Sequence, residues 1–237
     1  AWHAAWCWEN FLGWFAERGF AAHALSLPGH GGSPGRERLR WTRLAEYAAA
    51  VIEVAQGLPT PPVLIGHSMG GLTVQKVLET HPAPAGVLLA SAPPGGVLGV
   101  TLRLLQRHPW ELVRVNVTFS LAPVVSTPAL VREVLFSPGT PEAVIQACSA
   151  RLQDESYLAF LDMLALNLPR PERVRAPLLV LGGAQDGTFS TAEVEATARA
   201  YGVPAKLFPD LGHDLMLEPG WPAVAEHIFT WLTARGL

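Results

Sequence analysis

Aspartate is scarce in this chain. Only five occur in 237 residues (Asp154, Asp162, Asp186, Asp210 and Asp214), and the first 153 positions have none. Cysteine is scarcer still. Cys7 and Cys148 lie far apart and match no metal-ligand spacing, so they read as two buried free thiols and leave room for one disulfide at most. Charge of either sign is thin: Lys and Arg number 17 and Asp and Glu 20, for a net charge of −3. That balance gives no electrostatic case for binding nucleic acid or an anionic membrane surface. No apolar run reaches transmembrane length. The N-terminus lacks the basic stretch that opens a signal peptide. These absences suit a cytoplasmic protein whose partner is a small molecule.

What is present is apolar and punctuated. Hydrophobic residues make up 49% of the chain, enough for one sizeable core. The 22 glycines and 21 prolines are dispersed between segments, which argues against disorder. No internal repeat or low-complexity segment interrupts the chain.

Helix-like and strand-like segments alternate, the signature of an α/β fold with a mostly parallel central sheet flanked by helices. The expected helices run over Trp6–Arg18, Trp41–Gln56 with Thr42 as its cap, Met69–Thr80, Thr191–Tyr201 and Trp221–Ala234. The expected strands are Phe20–Leu25, Pro62–Ile65, Gly86–Ala90, Pro177–Gly182 and Ala205–Phe208. Between residues 97 and 170 the pattern changes. Amphipathic helical segments separated by prolines follow one another with no buried strand, and one crossover connection needs far fewer residues. The expectation is a core made of residues 1–96 and 171–237, with a helical cap, 97–170, over the carboxyl edge of the sheet.

The segment richest in chemistry is Gly66-His67-Ser68-Met69-Gly70, followed by Gly71. An apolar run precedes it and a helix-compatible run follows. A serine hydroxyl is a weak nucleophile unless the backbone exposes it beside a base. A strand–turn–helix elbow does this by crowding the chain, with glycines tolerating the close approach on either side. The bland alternative is a glycine-rich turn that happens to hold a serine.

A nucleophilic serine needs a general base, and histidine has the intrinsic pKa for the task. Of the eight histidines, His213 lies in a loop after the last strand, where it can reach the sheet edge. His67 adjoins the serine but should point away from it and shape the elbow. His3 and His30 are candidates for the pocket mouth. The base in turn needs a carboxylate to hold its tautomer. Asp154 and Asp162 fall in the cap. Asp210 and Asp214 are too near His213 in sequence to reach its far nitrogen. Asp186 remains, directly after a buried strand, with an Asp-Gly turn as its plain alternative. Met69, at the start of the helix after the elbow, offers a backbone N–H for an oxyanion.

The order Ser68, Asp186, His213 is the one used by α/β-hydrolases. Over essentially its whole length the chain resembles that superfamily. The opening Ala1-Trp2-His3-Ala4-Ala5-Trp6-Cys7-Trp8 looks like the segment that follows the His-Gly pair in esterases with an HGA-x-H-x-x-W-x-W signature. Pro28-Gly29-His30-Gly31-Gly32-Ser33 and the Gly-His-Ser-Met-Gly-Gly elbow recur in carboxylesterase and lysophospholipase-like members. Ser26 stands where the family usually has an aspartate of structural role. The resemblance makes the Ala1 N–H the second oxyanion donor. It also puts strands and the His-Gly pair ahead of Ala1, so this sequence is expected to be part of a longer chain, and a signal peptide upstream remains open.

The resemblance implies cleavage of a carboxylic ester through an acyl-enzyme, with no metal and no organic cofactor. The apolar cap, with Trp2 and Met216 as pocket-wall candidates, favours a small or apolar ester. The same triad also serves lipid hydrolases, thioesterases, C–C hydrolases and hydroxynitrile lyases, and the fold serves non-catalytic ligand-binding proteins.

Overall fold

The computed structural model describes residues 1–237. At its centre is a four-stranded parallel sheet, ordered β1 (Leu64–His67), β2 (Gly86–Leu89), β3 (Leu178–Gly183), β4 (Ala205–Phe208). Leu64 pairs with Gly86, Gly86 with Leu178, and Val180 with Ala205. The α-helices around it are α1 (Glu9–Ala16), α2 (Leu44–Gly57), α3 (Met69–Leu78), α4 (Leu98–Arg107), α5 (Pro109–Thr118), α6 (Pro128–Leu135), α7 (Glu142–Ser149), α8 (Tyr157–Leu161), α9 (Thr191–Ala200) and α10 (Trp221–Thr233).

The two central strands explain the layering. Both are buried along their whole length, as expected for parallel strands covered on both faces. Side chains alternate across a strand, so each strand feeds two cores. Val87, Leu89, Leu179 and Leu181 pack with Phe11 and Phe15 of α1 and Val224, Ile228 and Leu232 of α10. Leu88, Leu178 and Val180 face the other way, against Val74 and Val77 of α3 and Val194 and Ala198 of α9. The helical contributors recur every third or fourth residue, the spacing of one helix face. Each fully buried Leu, Val or Phe contributes roughly 1.5–3 kcal/mol relative to exposure.

All four strands match sequence expectations to within two residues. The first starts later than expected, because Pro62 has no N–H and the ladder opens where the Leu64 N–H donates to Ala85 O. It therefore runs to His67, and Ser68 follows directly.

Three expectations change. Phe20–Leu25 forms no regular element and joins no ladder, so it is not a strand. The Trp6–Arg18 helix divides into a 3₁₀ turn, Ala5–Trp8, and α1. Thr42 does not cap α2. A 3₁₀ turn occupies Arg36–Trp41, Thr42 is extended, and the helix starts at Leu44. The anion at its N-terminus comes from elsewhere: Asp162 accepts the Leu44 N–H at 3.0 Å and pairs with the Arg43 guanidinium. A carboxylate there complements the helix dipole.

The segment between β2 and β3 holds α4 to α8 and no strand. Pro109 and Pro128 begin α5 and α6, where a missing N–H costs nothing. Thr127 caps α6 and Ser156 caps α8 through their hydroxyls. A turn of π-helix, Asp162–Leu166, continues α8. The segment has its own core of Val115, Leu121, Val131, Leu135, Ile145 and Tyr157, which Trp2 joins.

Candidate active site

Ser68 occupies the turn between β1 and α3 with φ +53° and ψ −120°. Its carbonyl accepts from the N–H groups of Gly71, Leu72 and Ala92, and its own N–H donates to Leu89 O. The backbone is thus fixed, while the side chain neither caps the helix nor hydrogen-bonds any protein group. The flanking glycines are not equivalent. A Cβ at Gly66 would collide with the backbone of Gly70, and one at Gly71 with Ser91. At Gly70 a Cβ would meet nothing within 4 Å. The crowding therefore falls on Gly66 and Gly71, not symmetrically on the two glycines of the pentapeptide.

Asp186 lies just after β3 and His213 just after β4. The Asp186 carboxylate has three partners: His213 Nδ1 at 2.8 Å, the Thr188 N–H at 2.7 Å and the Phe189 N–H at 2.9 Å. It is therefore a turn residue and a histidine partner at once. With Nδ1 donating to a carboxylate, Nε2 carries the lone pair, and that nitrogen is buried without a hydrogen-bond partner. The His213 loop is held from below by Glu218, which accepts the N–H groups of Gly212 at 2.7 Å and Ser137 at 3.2 Å.

Ser68, Met69 and Ala1 share a cleft whose far wall includes Val100 and Leu104 of α4, Leu112 of α5, and Phe160 and Met163. Phe189, beside the His213 ring, completes it. Besides Ser68 the only polar lining residues are Thr101 and Thr188, and none is charged.

Other expected residues lie elsewhere. Met216 is fully buried in the core with α1 and α10, and does not line the cleft. Its apolar neighbours and its place before α10 make it a packing residue. Trp2 also lies outside the lining: its ring packs into the helical segment and its indole N–H donates to Leu121 O at 3.2 Å. Neither His3 nor His30 reaches the mouth. His30 is buried, with Nε2 3.0 Å from Glu155 and Nδ1 3.1 Å from Pro28 O. His3 places Nε2 3.0 Å from Asp214 and Nδ1 2.7 Å from Ala1 O. His67 points away from the cleft and donates from Nε2 to His213 O at 3.0 Å. Burial, reinforced by the neighbouring His213, pushes His67 well below its ordinary pKa, so it is neutral.

Two carboxylates escaped sequence reasoning. Glu155 is completely buried and accepts from Tyr47 Oη at 2.9 Å, the Ser156 N–H at 2.6 Å and the Trp2 N–H at 3.3 Å, besides His30. Burial alone would raise its pKa, but His30 and these donors hold it down to about 2. Glu218 is equally enclosed, by Ser137, Thr140 and Gly212. No local pattern marks either, since most of their partners are distant in sequence.

His3, His67 and Asp214 bring one nitrogen or oxygen each within 4.8 Å of one another, the spacing of a metal site. Hydrogen bonds already engage these atoms: His67 Nε2 donates to a carbonyl, and both nitrogens of His3 face oxygens. The set fits a hydrogen-bonded cluster better than a cation site.

Residues 1–226 match the model of the "Alpha/beta hydrolase family", and the chain belongs to that family. It is 34% identical over 112 residues to "Probable esterase PIR7A" of Oryza sativa subsp. indica, covering 45% of this chain and 42% of that protein. The chain thus spans under half the length of the rice esterases it matches. It is 25% identical over 249 residues to the monoacylglycerol lipase of Mycolicibacterium smegmatis, covering 93% of this chain and 81% of the lipase. The crystal structure of Paleococcus ferrophilus monoacylglycerol lipase superposes with a TM-score of 0.74 at 22% identity, over 99% of this chain and 91% of the other.

Proposed function

We propose that this chain is a serine hydrolase that cleaves an uncharged carboxylic ester with an apolar acyl or alcohol group. One observation carries the reading. His213 has Nδ1 bound to Asp186 and a buried, unpartnered Nε2, while Ser68 keeps an uncommitted hydroxyl on a strained elbow. Strain of this kind, about 1–3 kcal/mol, is characteristic of functional sites. The esterase and lipase relatives support the same reading.

Ser68 Oγ attacks the ester carbonyl, and His213 Nε2 takes its proton. Asp186 holds the imidazole in the productive tautomer and stabilises the imidazolium. The N–H groups of Met69 and Ala1 receive the oxyanion, one at the start of α3 and one on the facing segment; losing one such donor costs about 10²–10³ in kcat. His213 returns the proton to the alcohol as it leaves. Water then attacks the acyl-enzyme by the same route and releases the acid.

Residues 97–170 act as a cap that closes the site and sets its selectivity. Its apolar wall has no group to pair with a charge, and desolvating an unpaired charge is prohibitive.

The test is turnover of a short-chain aryl ester, with labelling by a serine-directed phosphonate. Ser68→Ala should lower kcat by about 10⁴-fold or more and abolish labelling. A variant with full activity would reject the site. A native chain that is neither active nor labelled would reject the hydrolase reading.

A further inference from the structure

We propose that His3, Asp214 and His67 form a buried brace that holds the oxyanion segment, the nucleophile elbow and the histidine loop in register. The inference builds on the esterase reading above and assigns positioning residues to that site.

The brace can be traced bond by bond. Ala1 O accepts from His3 Nδ1 at 2.7 Å. His3 Nε2 lies 3.0 Å from Asp214 Oδ2. Asp214 directly follows His213, whose carbonyl accepts from His67 Nε2 at 3.0 Å. His67 directly precedes Ser68. Ser68 and His213 each adjoin a member of the cluster, and Ala1 lies two residues from the third. The His67 and His213 rings also pack 4.7 Å apart.

The hydrogen bonds hold the His3 ring at both ends. Its nitrogens face oxygen atoms, the Ala1 carbonyl and the Asp214 carboxylate, and toward the carbonyl Nδ1 must donate. Asp214 is buried, and its Oδ1 has no hydrogen-bond partner, lying 3.5 Å from His67 Nε2. A buried carboxylate in that position needs polar partners beside it, and the His3 ring faces it directly. Burial alone would raise the Asp214 pKa, yet His3 and its neighbours hold it at about 2.

The segment being held has a reason to need it. Trp2 sits at φ +63°, in the left-handed region. The peptide between Ala1 and Trp2 is gripped at both polar ends: its carbonyl by His3, and its N–H by Glu155, which His30 and Tyr47 fix in turn. A donor meant for an oxyanion must be placed before reaction, and a shift of about 1 Å can cost about 10²-fold in rate.

Two readouts test the brace. Histidine side-chain ¹⁵N NMR near pH 7 needs no turnover. It should find a proton on His3 Nδ1, and His67 neutral with its proton on Nε2. A His3 ring without a proton on Nδ1, or one zinc ion per chain that survives dialysis, overturns the proposal. The second readout is kinetic, on an aryl ester. His3→Gln should lower kcat about 10–100-fold with KM within about twofold, and slow phosphonate labelling of Ser68 in parallel. Asp214→Asn should do the same, and the double variant should lose no more than the worse single one. If Asp214→Asn does not fold, His67→Gln takes its place. A folded His3→Gln variant with native kcat, a loss confined to KM, or multiplicative losses would overturn the brace. A native chain without turnover or labelling overturns the esterase reading instead, and the NMR result still decides the state of the cluster.

Discussion

Ser68 reaches its left-handed conformation because the residues packed against it have no Cβ where one would collide. Gly66 and Gly71 meet that need and Gly70 does not. Two substitutions should therefore diverge. Gly66→Ala forces backbone against backbone and should sharply lower the yield of folded protein. Gly70→Ala, in the first turn of α3, should melt at or above the native temperature, since alanine is favoured over glycine in a helix by roughly 0.5–1 kcal/mol. Thermal melts of the two variants check this. At Asp186 the expected loss is catalytic. Asp186→Asn can keep the turn through its side-chain oxygen but no longer holds the His213 tautomer, so kcat should fall by about 10⁴-fold with little change in melting temperature. The cysteines behave as their burial dictates. Both are unpaired, and burial raises their thiol pKa values. Neither should react with a disulfide reagent until the chain unfolds.

Elements of regular period were legible in the sequence. The strand pattern of β2 and β3, with alternate residues sent to two cores, follows from side-chain alternation along a strand. The helices between residues 97 and 170 follow from apolar residues at helical spacing set between prolines. What failed was local inference at element ends. Phe20–Leu25 has strand composition, but a strand exists only where a neighbour completes its ladder. Thr42 has the chemistry of a cap, but Asp162 supplies the charge at that helix start. The cleft wall belongs to this scale as well. Leu104 faces the cleft from α4, so Leu104→Trp should fill the space that a long acyl chain needs. An ester series should show long-chain substrates losing most of their kcat/KM while acetate and butyrate esters keep theirs.

Across the whole molecule, buried ion pairs join the helical segment to the sheet-bearing part of the chain. His30 comes from the loop before α2, and Glu155 from the start of α8. Their opposing shifts define a pH window. Glu155 titrates near 2 in the folded state, below its ordinary value of 4.5, so its contribution is present above pH 4.5 and is lost as pH falls toward 2. Burial alone would lower His30, but Glu155 outweighs it and raises the pKa above 6.5. Its contribution is full below pH 6.5 and is lost as pH rises through the raised value. The pair should therefore stabilise most between about pH 4.5 and 6.5. Urea midpoints measured across pH should fall on both sides of that window, and Glu155→Gln should flatten both slopes.

The sequence by itself determined the elbow, the order Ser68, Asp186, His213 and the alternation of strands and helices. Those features depend on short-range sterics, on period and on the scarcity of aspartate, all readable along one line. Only the tertiary structure decided that Met216 packs in the core, that Trp2 anchors to the helical segment, and that His3, His67 and Asp214 meet behind the site. It alone gave Glu155 three partners from distant parts of the chain, Trp2, His30 and Tyr47. A buried polar group must find its complement wherever folding brings one, and no local pattern records where that will be.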